Sequence, residues 1–215
     1  MDDRVTNVLT VAVLGFMGVR LVGGARYSRT AQGRQMFTEI VRGIRWRHVW
    51  PVPLVLLGVL AVAAPLLQVP GLDWGWWSAI GGEGNPVFGS STATAGSALE
   101  WIVPLAFMAL LVPALPLFAH AEERMFRQGA EQWSKRRRAA KVLQFGMVHA
   151  LIGIPVGAAL ALSVGGSYFM GVYLSAFRRT NDQRQATLES ARAHTAYNGI
   201  IILVVIAAVV DLVRA

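Results

Sequence analysis

Ala121 to Lys141, AEERMFRQGAEQWSKRRRAAK, is the stretch whose reading decides the fold. Two carboxylates, Glu122 and Glu123, stand at the inner end of a long apolar run, and a dense basic cluster closes the stretch. Charges set against an apolar run are costly in lipid and are kept where they have a task. The stretch therefore reads as the inner end of a transmembrane helix running into a cytoplasmic segment. Its acids read as part of a catalytic site within the membrane.

The rest of the chain agrees with that reading. Of 215 residues, 54% are hydrophobic and only 15% charged, which points to an all-α, polytopic membrane helix bundle. A formal net charge of +8 would suggest nucleic acid in a soluble protein. Here the basic residues lie between apolar runs, where the positive-inside rule puts them, so the expected partner is the lipid bilayer and no nucleic acid. Cysteine is absent, which excludes thiol nucleophiles, disulfides and Cys-based metal sites. Arginine far outnumbers lysine, a habit of GC-rich bacterial genomes, so a bacterial inner membrane is the expected location.

Six spans are expected. Val5 to Val22 forms the first; its acidic leader fits a secretory signal peptide poorly, so it is read as retained. Between residues 26 and 48, Phe37, Ile40, Val41, Ile44 and Trp46 recur near helical spacing among arginines, the pattern of an amphipathic helix lying on the headgroups. Trp50 to Val69 is the second span, with Pro65 expected to kink or end it. Pro70 to Ser97 reads as an external loop with an aromatic belt at Trp74, Trp76 and Trp77. The third span, Ala98 to about Ala121, holds Pro104, Pro113 and Pro116, so irregularity is expected near the carboxylates. Val142 to Val164 is the fourth span, and Gly165-Gly166 is read as a tight turn. Ser167 to Phe177 follows as a short fifth span and Arg178 to Arg192 as a polar cytoplasmic link. Ala193 to Val213 is the last. Eighteen of the twenty Arg and Lys residues fall in 20–48, 124–141 and 178–192, and six spans with the amino terminus outside put all three on the cytoplasmic face. Residues 1–97 then carry the N-terminal spans, the interfacial helix and the loop, and 98–215 the catalytic core helices, in a single membrane domain.

Four features carry chemistry. Glu122 and Glu123 face about 100° apart on a helix and cannot do the same job. Arg127 lies one turn after Glu123 with the acid on the amino-terminal side, the favourable sense for an ion pair. Glu123 is thus the natural partner of Arg127, and Glu122 is free to point into the bundle. His149 sits about 12 Å deeper than Lys141 on an ideal helix, with Phe145 one turn before it. His194 and Asn198 are likewise one turn apart on the last span. A carboxylate, two imidazoles and an amide entering from one membrane face suit hydrolysis by an activated water, with no covalent nucleophile needed.

Taken in order, Glu122-Glu123-Arg124-Met125-Phe126-Arg127, Phe145 to His149 and His194 to Asn198 match EExxxR, FxxxH and HxxxN. In that order they resemble the CAAX protease and bacteriocin-processing (Abi-type) family of intramembrane endopeptidases, related to the Ras-converting CAAX endopeptidase. The resemblance covers about Ala98 to Asn198, including Tyr168 to Thr180, which resembles the family's short helix ending in Arg-Arg-Thr. It implies a cytoplasm-facing cavity in which Glu122 and His149 activate the water and His194 and Asn198 form the oxyanion site. Glu123 and Arg127 would support the geometry, and Phe145 would pack beneath His149. Gln128 between Arg127 and Gly129, and the longer polar segment 180 to 192, depart from the family pattern. The implied activity is an endopeptidase acting on a peptide or membrane-protein substrate. The alternative is a membrane immunity or scaffold protein that keeps the fold and works by binding. Glu, His and His are also acceptable zinc ligands. HExxH is absent, however, and the resemblance favours a metal-free mechanism, so no cofactor is expected and zinc remains the alternative.

Overall fold

The computed structural model describes residues 3–75 and 96–214, and every regular element among them is helical. Residues 76–95 of the expected external loop, with Trp76 and Trp77, lie outside the described residues.

Helix α1 (Asp3–Ser28) extends beyond the expected first span. Its Gly24 sits against the Phe118 ring, where a Cβ would collide, so α1 approaches the third expected span closely. Thr30 caps α2 (Ala31–Arg42): its Oγ1 accepts from the Gly33 N–H at 3.0 Å, and Gly43 closes the helix with its N–H on Ile40 and Val41. Ile40 is fully buried while Val41 and the neighbouring arginines are exposed, so the amphipathic pattern read across 26–48 is realised over α2. A short turn of helix, α3 (Trp46–Val49), leads into α4 (Val52–Leu66). Pro51 and Pro53 fall at the start of α4, where a missing N–H costs little, and the helix stops one residue after Pro65.

Helix α5 (Leu99–Phe126) runs unbroken through Pro104, Pro113 and Pro116 and brings Glu122 and Glu123 into its last turn. Gly129, in the left-handed region at φ 87°, turns the chain into a 3₁₀ segment at Ala130–Gln132. Arg138 from the basic cluster reaches back to the Ala130 and Glu131 carbonyls at 2.8 and 3.1 Å, and the Tyr173 hydroxyl both receives the Gly129 N–H and donates to Glu131. Ser134 then caps α6 (Lys135–Met147).

Here the structure departs from the sequence reading. The expected fourth span, Val142 to Val164, is not one helix: α6 passes into a 3₁₀ segment at Val148–Ile152 and stops at Gly153 (φ 92°), and α7 (Val156–Ala161) begins only after Pro155. Proline disfavours the α conformation in the residue before it, and here the left-handed Gly153 completes the break. The carbonyls of Leu72 and Trp74 accept the N–H groups of Gly157 and Val156 at 2.6 and 3.0 Å, so the start of the loop folds onto this break. The tight turn expected at Gly165-Gly166 is absent as well. Both residues lie within α8 (Ser163–Thr180), which follows α7 through Leu162. Both are buried, and Gly166 is held to a close approach: a Cβ on it would stand 2.9 Å from Phe145 and 3.3 Å from the Val142 carbonyl. The short fifth span is thus part of a longer run, Val156–Thr180. Asn181, at φ 50°, ends α8, which includes Arg178 to Thr180 of the expected polar link, and α9 (Gln183–Arg214) takes up the rest of that link and the last span as one helix.

Two runs, Trp46–Leu66 and Val156–Thr180, are long and apolar enough to cross a membrane. The first exposes Leu54, Leu57 and Leu60 and buries little of itself, as a lipid-facing segment would. A core of Val52, Phe126, Phe145, Phe169, Ala193, Ala196 and Tyr197 joins α4, α5, α6, α8 and α9.

Candidate functional site

The last turn of α5 sends its two carboxylates to different fates. Glu123 is fully buried: Oε1 accepts from Arg127 Nη1 at 2.8 Å and from His194 Nδ1 at 2.9 Å, while Oε2 receives a short hydrogen bond from Ser190. A buried carboxylate is tolerable only when paired and saturated with donors, and Glu123 is both. Its partner Arg127 is equally buried and lies over aromatic rings, its guanidinium 4.1 Å from the centre of Phe145 and 5.4 Å from that of Phe169. The Ser190 hydroxyl also lies 2.9 Å from the Phe169 carbonyl, and its single proton serves one acceptor at a time.

Glu122 faces the other way round the helix, with its side chain 32% exposed. Its Oε2 is nevertheless buried without a hydrogen-bond partner and stands 3.7 Å from His194 Nε2. His194 is thus held between the two acids. A carboxylate can only accept, so the Glu123 contact puts a proton on Nδ1 and turns Nε2 toward Glu122. Phe169 stacks on the imidazole at 4.3 Å and Phe145 meets it edge-on at 5.5 Å, which fixes the ring plane.

His149 follows the same rule. It lies in the 3₁₀ segment, where Nδ1 donates to the Phe145 carbonyl at 2.8 Å and leaves Nε2 as the presented nitrogen. Its ring sits edge-on to Phe145 at 5.1 Å, so both imidazoles touch the same phenyl group. Asn198 lies one turn beyond His194 on α9, half-buried and without a hydrogen bond among the described residues. The structure thus gathers Glu122, Glu123, Arg127 and His194 directly, and joins His149 to them through Phe145. Among the described residues, no group of three or more His, Asp or Glu side chains is arranged to hold a metal ion.

Sequence reasoning missed Ser190 and Phe169. Ser190 could have been found by stepping one helical turn back from His194, since the i, i+4 relation that joins His194 to Asn198 also joins Ser190 to His194.

A second charged cluster lies outside this site. Glu189 accepts from Arg47 at 2.9 Å, His48 Nε2 at 3.0 Å and Arg192 at 2.6 Å. The Arg45 N–H donates to His48 Nδ1, which fixes that ring's tautomer. The His48 hydrogen bond, aided by Arg47 and Arg192, outweighs burial and holds the Glu189 carboxyl down to about 2. Two surface clefts flank the cluster. One of about 470 Å³ is lined by Arg34, Thr38, Glu39, Arg42 and Arg184, and one of about 380 Å³ lies between α3 and α8. Neither is lined by Glu122, His149 or His194; of these, Glu122 and His149 are partly exposed and His194 is buried.

No protein-family model, curated protein or solved structure matches this chain.

Proposed function

We propose that this protein is an intramembrane endopeptidase that hydrolyses a peptide bond with a water activated at Glu122. The observation that carries the reading is Glu122 Oε2 and His194 Nε2 facing each other across 3.7 Å while Nδ1 of that ring is committed to Glu123. With the imidazole neutral and its proton on Nδ1, both atoms are acceptors, and at that spacing they call for a donor between them. A water about 2.8 Å from each would subtend roughly 80°, a tight but attainable geometry. Such a water gives its protons to Glu122 and His194 and keeps its lone pairs for attack. Glu122 takes the proton as the water oxygen bonds to the carbonyl carbon. The C–N bond then breaks, and the proton passes to the departing amine, leaving a carboxylate and a free amine. The Asn198 amide is the N–H donor left for the oxyanion, and His149, once protonated at Nε2, is a donor for the leaving group.

The order of EExxxR, FxxxH and HxxxN supports the same assignment, through the resemblance to Abi-type endopeptidases. The family pattern gives His194 to the oxyanion. The bond from its Nδ1 to Glu123 favours a share in holding the water instead. Within this proposal the chain has about six spans with the amino terminus outside, and the basic segments and the mouth of the site face the cytoplasm. The substrate is a peptide or a membrane-protein segment. The competing role, a scaffold or immunity protein acting by binding, needs neither Glu122 nor an oriented His194.

The test compares membrane peptides from cells carrying the wild type and Glu122→Gln at equal levels of inserted protein. Products present with the wild type should fall by about 10²-fold or more in the variant. Identical peptide sets would overturn hydrolysis and leave the binding role.

A further inference from the structure

We infer that the cleft between α3 and α8 is a binding site for an anionic phospholipid. It goes beyond the hydrolytic site and depends only on Val156–Thr180 lying in a bilayer. Tyr168, Gly171, Val172, Ser175 and Arg179 line one wall of the cleft. Their spacing of three, four, seven and eleven residues from Tyr168 is one face of a helix, about 16 Å long at 1.5 Å per residue. The polar end of that face is its C-terminal turn, where Arg179 stands across the cleft from Arg47 of α3. Toward Tyr168 the wall is apolar, and it lies deeper in the apolar run. Cationic at the rim and apolar below is the order of groups in a phospholipid.

The donors at the rim are not used up. Arg179 gives one Nη1 bond to Ser175 at 2.8 Å and Arg47 one Nη2 bond to Glu189. A guanidinium has five N–H groups in a planar fork, so each retains donors for a phosphate. Both arginines are exposed. Glu189 is the one acid among the lining residues, and it is shared among Arg47, His48 and Arg192. The lining therefore carries one uncompensated positive charge, which a phosphodiester neutralises. A zwitterionic lipid would bring an ammonium group against two guanidiniums. Gly171 leaves the middle of the wall open: a Cβ there would meet nothing within 4 Å. At about 380 Å³ the cleft has the size of a small-ligand site, enough for a headgroup and the start of one chain.

Lipid titrations of the purified full-length protein, read by native mass spectrometry in a mild detergent, test the assignment. Phosphatidylglycerol should be retained about tenfold more tightly than phosphatidylcholine. Arg179→Gln should remove most of that preference. Gly171→Leu should weaken retention of both lipids by filling the groove. Gly171 is exposed and helical, so leucine there favours the helix, and an unchanged melting temperature will separate lost binding from lost folding. Three results would overturn the proposal: no preference between the two lipids, a preference unchanged in Arg179→Gln with retention unchanged in Gly171→Leu, or displacement of the lipid by millimolar inorganic phosphate, which would make the cleft a soluble-anion site.

Discussion

Breaking the Glu123–Arg127 pair one side at a time and then on both sides tests whether the site is built around a buried charge balance. The two groups meet at 2.8 Å with side chains 0% and 1% exposed, so neither ion can turn to water when its partner goes. Arg127→Met leaves a buried carboxylate supported only by Ser190 and His194, and Glu123→Gln leaves a guanidinium buried among aromatic rings. Each single change should cost about 3–5 kcal/mol, a factor of more than about a hundred in the folding equilibrium. The double variant Glu123→Gln/Arg127→Met buries no unpaired charge and keeps the volume filled. It should cost no more than the worse single change, so the coupling should be about 3 kcal/mol or more. Far-UV circular dichroism, followed as SDS is titrated into the protein in mild detergent, gives all three values on one scale. Single changes costing below about 1 kcal/mol, or a double equal to their sum within about 0.5 kcal/mol, would refute the reasoning.

The Glu189 cluster predicts an acid-side signature. Its carboxyl is held at about 2 against an ordinary 4.5, so its stabilising contribution is present above the ordinary value and is lost as pH falls from 4.5 toward 2. Solvent screening trims the roughly 3 kcal/mol that such a shift represents to about 1–2 kcal/mol. Glu189→Gln should therefore destabilise the protein at pH 7, and the gap between variant and wild type should close by pH 2; a constant gap would refute the assignment. The two kinds of glycine on α8 should respond oppositely to alanine. Gly166→Ala presses a Cβ onto Phe145 and the Val142 carbonyl, and overpacking of about 1–3 kcal/mol should exceed the gain of about 1 kcal/mol in helix propensity. Gly171→Ala meets open space and should keep that gain, so the melting temperatures should move in opposite directions.

Local relations were legible in the sequence and distant ones were not. The pairing of Glu123 with Arg127 follows from helical spacing, and so does the different outlook of Glu122. The helical class follows from composition and apolar runs. The capture of Glu123 by His194 and Ser190 crosses some seventy residues of chain, and no periodicity encodes it. Glycine was the main source of error. Read locally, Gly165-Gly166 marks a turn, but in the fold both lie within α8, and Gly166 is the small surface that lets α8 meet Phe145 and Arg127. Pro155 misled in the other sense: an unbroken apolar count from Val142 to Val164 hid the proline and Gly153 that end the helix and place His149 in a 3₁₀ turn.

Neighbouring acids with opposite surroundings make the rotational setting of α5 a quantity on which everything nearby depends. Adding one residue upstream would turn this end of the helix by about 100° and carry Glu122 to the sealed position of Glu123, while deleting one would turn it the other way, to the exposed side of Ala121. Every hydrophobic contact of α5 could then be re-formed in a new register while the oriented imidazole lost its anchor. Homologous chains that preserve the two glutamates but alter the count of residues back to the last fixed packing point, the Phe118 ring against Gly24, should therefore keep the architecture without the chemistry.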